Sequence, residues 1–205
     1  MLSLTQQIDE YCERTDFSFW AEPTNAITNF AIIIAGLLAL RLYHQKFPLH
    51  HKKHRPNVLI LIGLVVCIGV GSFLYHTTAT VWAGYADVAP IAIFIYLYHA
   101  VFLRRVLAMR YKYVLLSVLA FFMLSLILGG TFGTLFYRYG FMQLGDIFSF
   151  FRKDMLNGSI SYLPTLISFA AVWIAMIVLK RPGTRRFGLA ALIFFASLTF
   201  RSIDM

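Results

Sequence analysis

The sequence predicts an all-α membrane protein, and three observations support this prediction. Hydrophobic residues make up 60% of the 205 residues and charged residues 13%, whereas soluble domains carry about 25% charged residues. The mean hydropathy is +0.73. Apolar runs long enough to cross a bilayer as helices, about 20 residues each, recur along the whole chain. A single helical membrane domain over residues 1–205 accounts for all three observations.

Six apolar runs qualify as membrane spans and follow an acidic arm over residues 1–24. The first 20 residues contain no apolar run of the kind found in cleavable signal peptides. The segment 131–158 carries glycines and charges, and we interpret it as a loop with an amphipathic or re-entrant helix. The spans lie at about 25–43, 57–77, 86–103, 113–130, 159–179 and 186–201.

The net charge of +9 is best explained by basic loops beside an anionic leaflet. No basic stretch interleaved with aromatic residues suggests a nucleic-acid groove. The positive-inside rule makes the basic side cytoplasmic and places the N-terminus outside, and we expect a bacterial inner membrane. With Arg41, the loops after the first, third and fifth spans hold 13 of the 18 Lys and Arg residues: Lys46, Lys52, Lys53, Arg55, Arg104, Arg105, Arg110, Lys112, Lys180, Arg181, Arg185 and Arg186.

Three polar residues near the ends of the second and third spans form the first candidate site. Ser72 and His76 are four residues apart and therefore share a helix face. Asp87 follows a short turn predicted at Val81 to Ala86, so its carboxylate can fold back beside His76. A hydroxyl, an imidazole and a carboxylate make a minimal metal or acid–base site. The alternative is a satisfied helix-end histidine, with Ser72 bonded to its own backbone.

The acidic arm is the second candidate site, because five carboxylates fall within the first 22 residues. Oxygen ligands at irregular spacing suit Ca²⁺, which takes six to eight oxygens. The alternative is a solvated arm in which Glu22 caps the first helix. The five residues are Asp9, Glu10, Glu13, Asp16 and Glu22.

Three stretches of the sequence resemble one known family. The first runs from Glu10 to Glu13 and continues from Trp20 to Asn29. The second runs from Gly71 to His76, with Asp87 eleven residues further on, and the third is Arg201 to Asp204. Together they resemble the alkaline ceramidases and their bacterial relatives, within the CREST superfamily of membrane hydrolases.

The resemblance implies a seven-helix intramembrane zinc hydrolase that cleaves the amide of a long-chain lipid such as a sphingolipid. His76 would bind Zn²⁺, Asp87 would hold or deprotonate a water molecule, and Ser72 would stabilise the oxyanion. The family's other two zinc ligands form a His-x-x-x-His on a seventh helix. The apolar segments of this chain offer no counterpart to it, and six of the seven helices are present. We therefore expect a truncated copy, with ligands from a partner or lost activity as the other interpretations.

The resemblance also implies a Ca²⁺ site on the arm. Its ligands would be Glu10, the carbonyl of Tyr11, Glu13 and Glu22, with the remaining position assigned to Asp16 or its neighbour Thr15. The competing interpretation of the whole chain is a non-catalytic lipid-binding or receptor-like membrane protein on the same scaffold, because a fold does not decide a function.

Overall fold

The computed structural model describes residues 3–8, 11, 13–46, 55–128 and 162–203. Within these ranges no strand forms, and one isolated antiparallel bridge joins Gln7 to Thr80. The predicted all-α class is therefore confirmed for the described residues. Their six helices are α1 (Pro23–Lys46), α2 (Pro56–Thr78), α3 (Val81–Arg105), α4 (Tyr111–Leu128), α5 (Leu163–Val178) and α6 (Thr184–Ile203).

Three of these helices, α1, α2 and α3, are long and apolar enough to cross a membrane, with 24, 23 and 25 residues. The helices α4 and α5 are shorter and also apolar. All six overlap the predicted spans, but a crossing by every one of them and an outward N-terminus stay predictions. The predicted loop at 131–158 lies outside the described residues.

The chain divides into two compact units, Met1–Val101 and Phe102–Met205, and the single membrane domain stays a prediction. In the second unit, α5 packs against α4 and α6. The ring of Phe169 in α5 lies 5.7 Å from that of Phe187 and 5.4 Å from that of Phe194, both in α6. Edge-to-face and tilted contacts between aromatic rings therefore join α5 to α6.

In the first unit, glycines bring α1 and α2 into close contact. A Cβ added at Gly36 would lie 2.7 Å from a methyl carbon of Val66, and one added at Gly69 would lie 2.6 Å from Ile33. Small residues let membrane helices approach this closely. Ile33 in α1 thus faces Gly69 in α2, and Gly36, further along α1, faces Val66, which comes earlier in α2. The two helices therefore run antiparallel.

The corner between α2 and α3 differs from the sequence prediction. The turn predicted at Val81 to Ala86 is wrong, because α3 already begins at Val81. Ala79 ends α2 in the left-handed conformation, with a φ of 46°, and only Ala79 and Thr80 connect the helices. The chain thus reverses within two residues, and Asp87 lies in the second turn of α3 rather than at its start.

The N-terminal arm stabilises this corner through backbone hydrogen bonds. The Ile8 N–H donates to the Ala79 carbonyl at 2.7 Å, and the Val81 N–H donates to the Gln6 carbonyl at 3.0 Å. The first N–H groups of a helix have no partner within it, so the arm supplies one for α3. This path carries the arm across the ends of α2 and α3, next to the candidate site.

Candidate active site

The predicted pair Ser72 and His76 lies in the last two turns of α2. Helical geometry places the two side chains one turn apart along the same side. Ser72 is half-buried, and His76 is 7% exposed. The site is therefore built on a regular helix, close to the corner that the arm covers.

A close backbone contact brings Asp87 to the same level of α2. Pro90 in α3 has no N–H to donate to the Ala86 carbonyl four residues earlier. That carbonyl lies directly against Gly71, where an added Cβ would meet the Ala86 oxygen at 2.1 Å and the Asp87 nitrogen at 3.1 Å. The backbone of Asp87 is thus held beside α2, next to Ser72.

The predicted approach of the Asp87 carboxylate to His76 stays a prediction. Asp87 is half-buried. Glu22, from the N-terminal end of α1, contacts His76, and its Oε2 lies 2.5 Å from the Nδ1 of His76. The edge of the Tyr11 ring packs on the same imidazole, with 4.8 Å between ring centroids.

The contact with Glu22 determines which imidazole nitrogen is left for other chemistry. Glu22 is 2% exposed, and its carboxylate accepts a second hydrogen bond, from the Nε of Arg14. A carboxylate accepts hydrogen bonds, so we infer that Nδ1 of His76 carries the proton. The lone pair is then on Nε2, which is the arrangement found in metal-binding histidines.

Arg14 is the functional residue that the sequence analysis missed. Its Nε donates to Glu22 Oε1 at 2.6 Å, one terminal nitrogen donates to the carbonyl of Asp16 at 3.1 Å, and the other donates to the carbonyl of His76 at 2.9 Å. Its side chain is 1% exposed. The available signal was that Arg14 is the only Lys or Arg within the first 40 residues.

Glu13 caps α1. Its two carboxylate oxygens accept from the backbone N–H groups of Thr24 at 2.7 Å and Asn25 at 3.1 Å. Burial acts to raise the pKa of Glu13, but the hydrogen bonds from Thr24 and Asn25 outweigh it and hold this pKa below its ordinary value. The carboxylate thus takes up two N–H groups that a helix start leaves unpaired.

The remaining arm residues also face N–H donors. The Tyr11 carbonyl accepts from the Arg14 N–H at 3.0 Å. Asp16 is exposed, and a hydrogen bond from Ser18 at 2.8 Å lowers its pKa. Glu10 lies outside the described residues.

These contacts do not fit an oxygen cage for Ca²⁺, because Tyr11, Glu13, Asp16 and Glu22 all direct oxygen atoms at N–H groups of the chain itself. In the part of the chain that the structure describes, no three His, Cys, Asp or Glu residues are grouped so that they could hold a metal ion. Calcium binding stays a prediction that the geometry does not favour.

The comparisons with known proteins agree with the resemblance in the sequence. A family model described as Ceramidase matches residues 5–203, which includes the described arm, α2 and α3. The searches of curated proteins and of solved structures found no match to this chain. The family match supports a ceramidase-like hydrolase and does not favour the receptor-like alternative. Because the matched region covers nearly all of the sequence, the chain belongs to the ceramidase family.

Proposed function

We propose that this chain is an intramembrane amidohydrolase that cleaves the amide bond of a long-chain lipid, with Zn²⁺ held by His76. One observation supports this most directly, namely the buried hydrogen bond between Glu22 and Nδ1 of His76. A carboxylate on one imidazole nitrogen fixes the ring and raises the basicity of the other nitrogen, as in zinc enzymes. The ceramidase family match is the second support.

Zinc, when bound, would supply Lewis acidity toward the amide carbonyl and toward a water molecule. Catalytic zinc sites use three protein ligands. His76 would be one of them, and the described residues offer no group of three that could complete the site. Glu22 holds the imidazole of His76 through Nδ1, Arg14 holds Glu22 and the His76 carbonyl, and Nε2 would be the nitrogen that binds Zn²⁺. The amount of zinc bound to the protein tests this role of His76 directly, independently of lipid hydrolysis.

Asp87 and Ser72 would act on the reacting groups. The carboxylate of Asp87 would be the base that orients a water molecule and takes its proton. Ser72 donates a hydrogen bond to the oxygen of the amide as negative charge develops on it. The contact between Gly71 and the Ala86–Asp87 peptide supports these roles, because it keeps α3 at the level of Ser72.

The substrate would reach the site from the lipid bilayer. The helices α1, α2 and α3 have the length and hydropathy of membrane spans, and large apolar side chains such as Ile34, Leu37 and Ile60 are more than half exposed. Such surfaces suit lipid rather than water. A bacterial inner membrane with the arm outside, and a sphingolipid-like amide as substrate, complete the proposal.

The test is hydrolysis of a long-chain fluorescent ceramide, in lipid nanodiscs, by the protein purified as its native gene expresses it, together with its zinc content by mass spectrometry. We expect release of the fatty acid by the wild type, and its loss in His76→Ala and Asp87→Asn. We expect less bound zinc in His76→Ala, because this change removes a ligand.

His44→Ala is the matched control, because His44 is exposed at the other end of α1. It should keep both the hydrolysis and the zinc. A wild type that binds the ceramide but does not cleave it would contradict the hydrolase and favour the receptor-like alternative.

A further inference from the structure

The acidic arm already contains a cation, the guanidinium of Arg14. Arg14 is 5% exposed and Glu22 is 2% exposed, and 2.6 Å separates the Nε of Arg14 from the Oε1 of Glu22. A guanidinium does not lose its proton in proteins, so this charge is permanent. A buried carboxylate needs a compensating charge, and Arg14 provides it without a metal ion.

The same side chain also connects separate segments of the chain. One terminal nitrogen binds the carbonyl of Asp16 in the arm, and the other binds the carbonyl of His76 near the C-terminal end of α2. Glu22 contributes the N-terminal end of α1. Gathering carboxylate and carbonyl oxygens around one positive charge is what Ca²⁺ does in proteins. The planar guanidinium of Arg14 does this with one hydrogen bond from each of its three nitrogens.

Among the described residues, two other groups that the resemblance assigns to Ca²⁺ already accept hydrogen bonds from N–H groups. Both oxygens of Glu13 cap α1, and the Tyr11 carbonyl closes a turn with the Arg14 N–H. An ion that requires six to eight oxygens would have to break these hydrogen bonds and displace the guanidinium. In the described part of the arm, the oxygens of Glu13 and Glu22 and the Tyr11 carbonyl thus have partners within the chain itself.

We propose that Arg14 is the built-in cation of the arm in place of Ca²⁺, and that it holds Glu22 against His76 without a divalent ion. Arg14 is then a positioning residue that acts through Glu22. The effect of Arg14 on catalysis, through Glu22 and His76, rests on the proposed function. Its role as the cation of the arm does not.

The first test is thermal unfolding of the full chain in detergent micelles, with CaCl₂ at about 1 mM, where weak extracellular sites fill, or with excess EGTA. We expect the same unfolding midpoint in both, and no binding of radioactive ⁴⁵Ca²⁺. A midpoint that falls in EGTA and is restored by CaCl₂ but not by ZnCl₂, or the binding of one ⁴⁵Ca²⁺ per chain, would overturn the inference. Neither readout uses lipid hydrolysis, so a failure here is distinct from a failure of the proposed function.

The second test changes the cation itself. Arg14→Met keeps an unbranched apolar stem but removes the guanidinium, and it leaves the Glu22 carboxylate buried without its charge partner, so the midpoint should fall by about 10 °C. Arg14→Lys should recover part of this loss, because it restores the charge but not the fork. Arg41→Met, at an exposed arginine of α1, is the control and should melt like the wild type.

A double variant covers the case in which Arg14→Met does not fold. Arg14→Met with Glu22→Gln removes both buried charges, and it should be more stable than Arg14→Met alone. Equal midpoints for Arg14→Met and the wild type would overturn the inference, as would a double variant no more stable than the single one.

Discussion

Glu22 and His76 are 54 positions apart in the sequence and share a buried hydrogen bond of 2.5 Å. Glu22 stands just before α1, and His76 lies in the last turn of α2, so the bond ties together the ends of two antiparallel helices. Arg14 binds the same carboxylate and the His76 carbonyl. The orientation of one imidazole therefore depends on three segments of the chain.

Replacing Glu22 by Gln should weaken both the fold and the zinc site. The amide keeps the size of the side chain but leaves the Arg14 charge buried and unpaired, which costs about 3–5 kcal/mol of unfolding free energy. Loss of the carboxylate that is hydrogen-bonded to Nδ1 of His76 should lower zinc affinity by about 10- to 100-fold. Denaturant unfolding and zinc retained after dialysis against a chelator measure the two effects.

Asp16→Asn is the control for stability, because Asp16 is exposed and the change should alter the free energy of unfolding by no more than about 0.5 kcal/mol. If Glu22→Gln unfolds at the wild-type denaturant concentration, the carboxylate does not hold Arg14 in the way the structure describes.

Gly71→Ala should separate α3 from α2 and so move Asp87. The added Cβ would lie 2.1 Å from the Ala86 oxygen, a distance at which backbone must shift. Overpacking of this kind lowers the free energy of unfolding by about 1–3 kcal/mol, and hydrolysis should fall together with stability.

Gly63→Ala on the same helix is the matched control, since its Cβ meets nothing within 4 Å. It should be neutral or stabilising by about 0.5–1 kcal/mol. Equal behaviour of the two variants would contradict the close contact.

The approximate positions of the helices follow from the sequence because each one coincides with a long apolar run. The start of α3 was missed for a physical reason. Val81 and the residues after it carry no local helix signal, and the N–H of Val81 is satisfied by the distant carbonyl of Gln6. No pattern within α3 contains that information.

The candidate site was predictable where it depends on spacing along one helix, as for Ser72 and His76. The contact of Glu22 with His76 was not, because it requires the path of the arm and the antiparallel packing of α1 on α2. Arg14 carried a weak signal as a single cation among acids. Its partners include two backbone carbonyls, which a sequence pattern does not mark.

Glu13 should make the protein less stable in acid. Its folded pKa lies below the ordinary value of 4.5, because the hydrogen bonds from Thr24 and Asn25 outweigh the effect of burial. A depressed folded pKa contributes stability above the unfolded pKa, and that contribution is lost as the pH falls through the folded pKa. Glu13→Gln removes the titrating group, so the wild type should exceed the variant in stability near neutrality, and the difference should shrink below pH 4.5.

Denaturant unfolding of both proteins at neutral pH and at a pH below 4.5 measures that difference. Thr28→Val, which removes a hydroxyl that donates to carbonyls at the start of the same helix, should follow the wild type at both pH values. A wild-type advantage over Glu13→Gln that is the same at both would show that the cap does not depend on the charge.

Ser72→Ala should slow lipid hydrolysis without disturbing the fold. If the hydroxyl donates to the developing oxyanion, its removal should lower kcat by about 10²–10³-fold, as for single oxyanion donors in other hydrolases, and leave KM nearly unchanged. The side chain is half-buried, so the unfolding midpoint and the zinc content should stay at the wild-type values. Steady-state hydrolysis of the fluorescent ceramide in nanodiscs, with zinc measured on the same sample, separates the effect on catalysis from the effect on the metal site.

Ser125→Ala is a suitable control, because the Ser125 hydroxyl donates to the Phe121 carbonyl of its own helix at 2.8 Å. An unchanged kcat in Ser72→Ala would leave the oxyanion to another donor, whereas loss of zinc would place Ser72 in the support of His76.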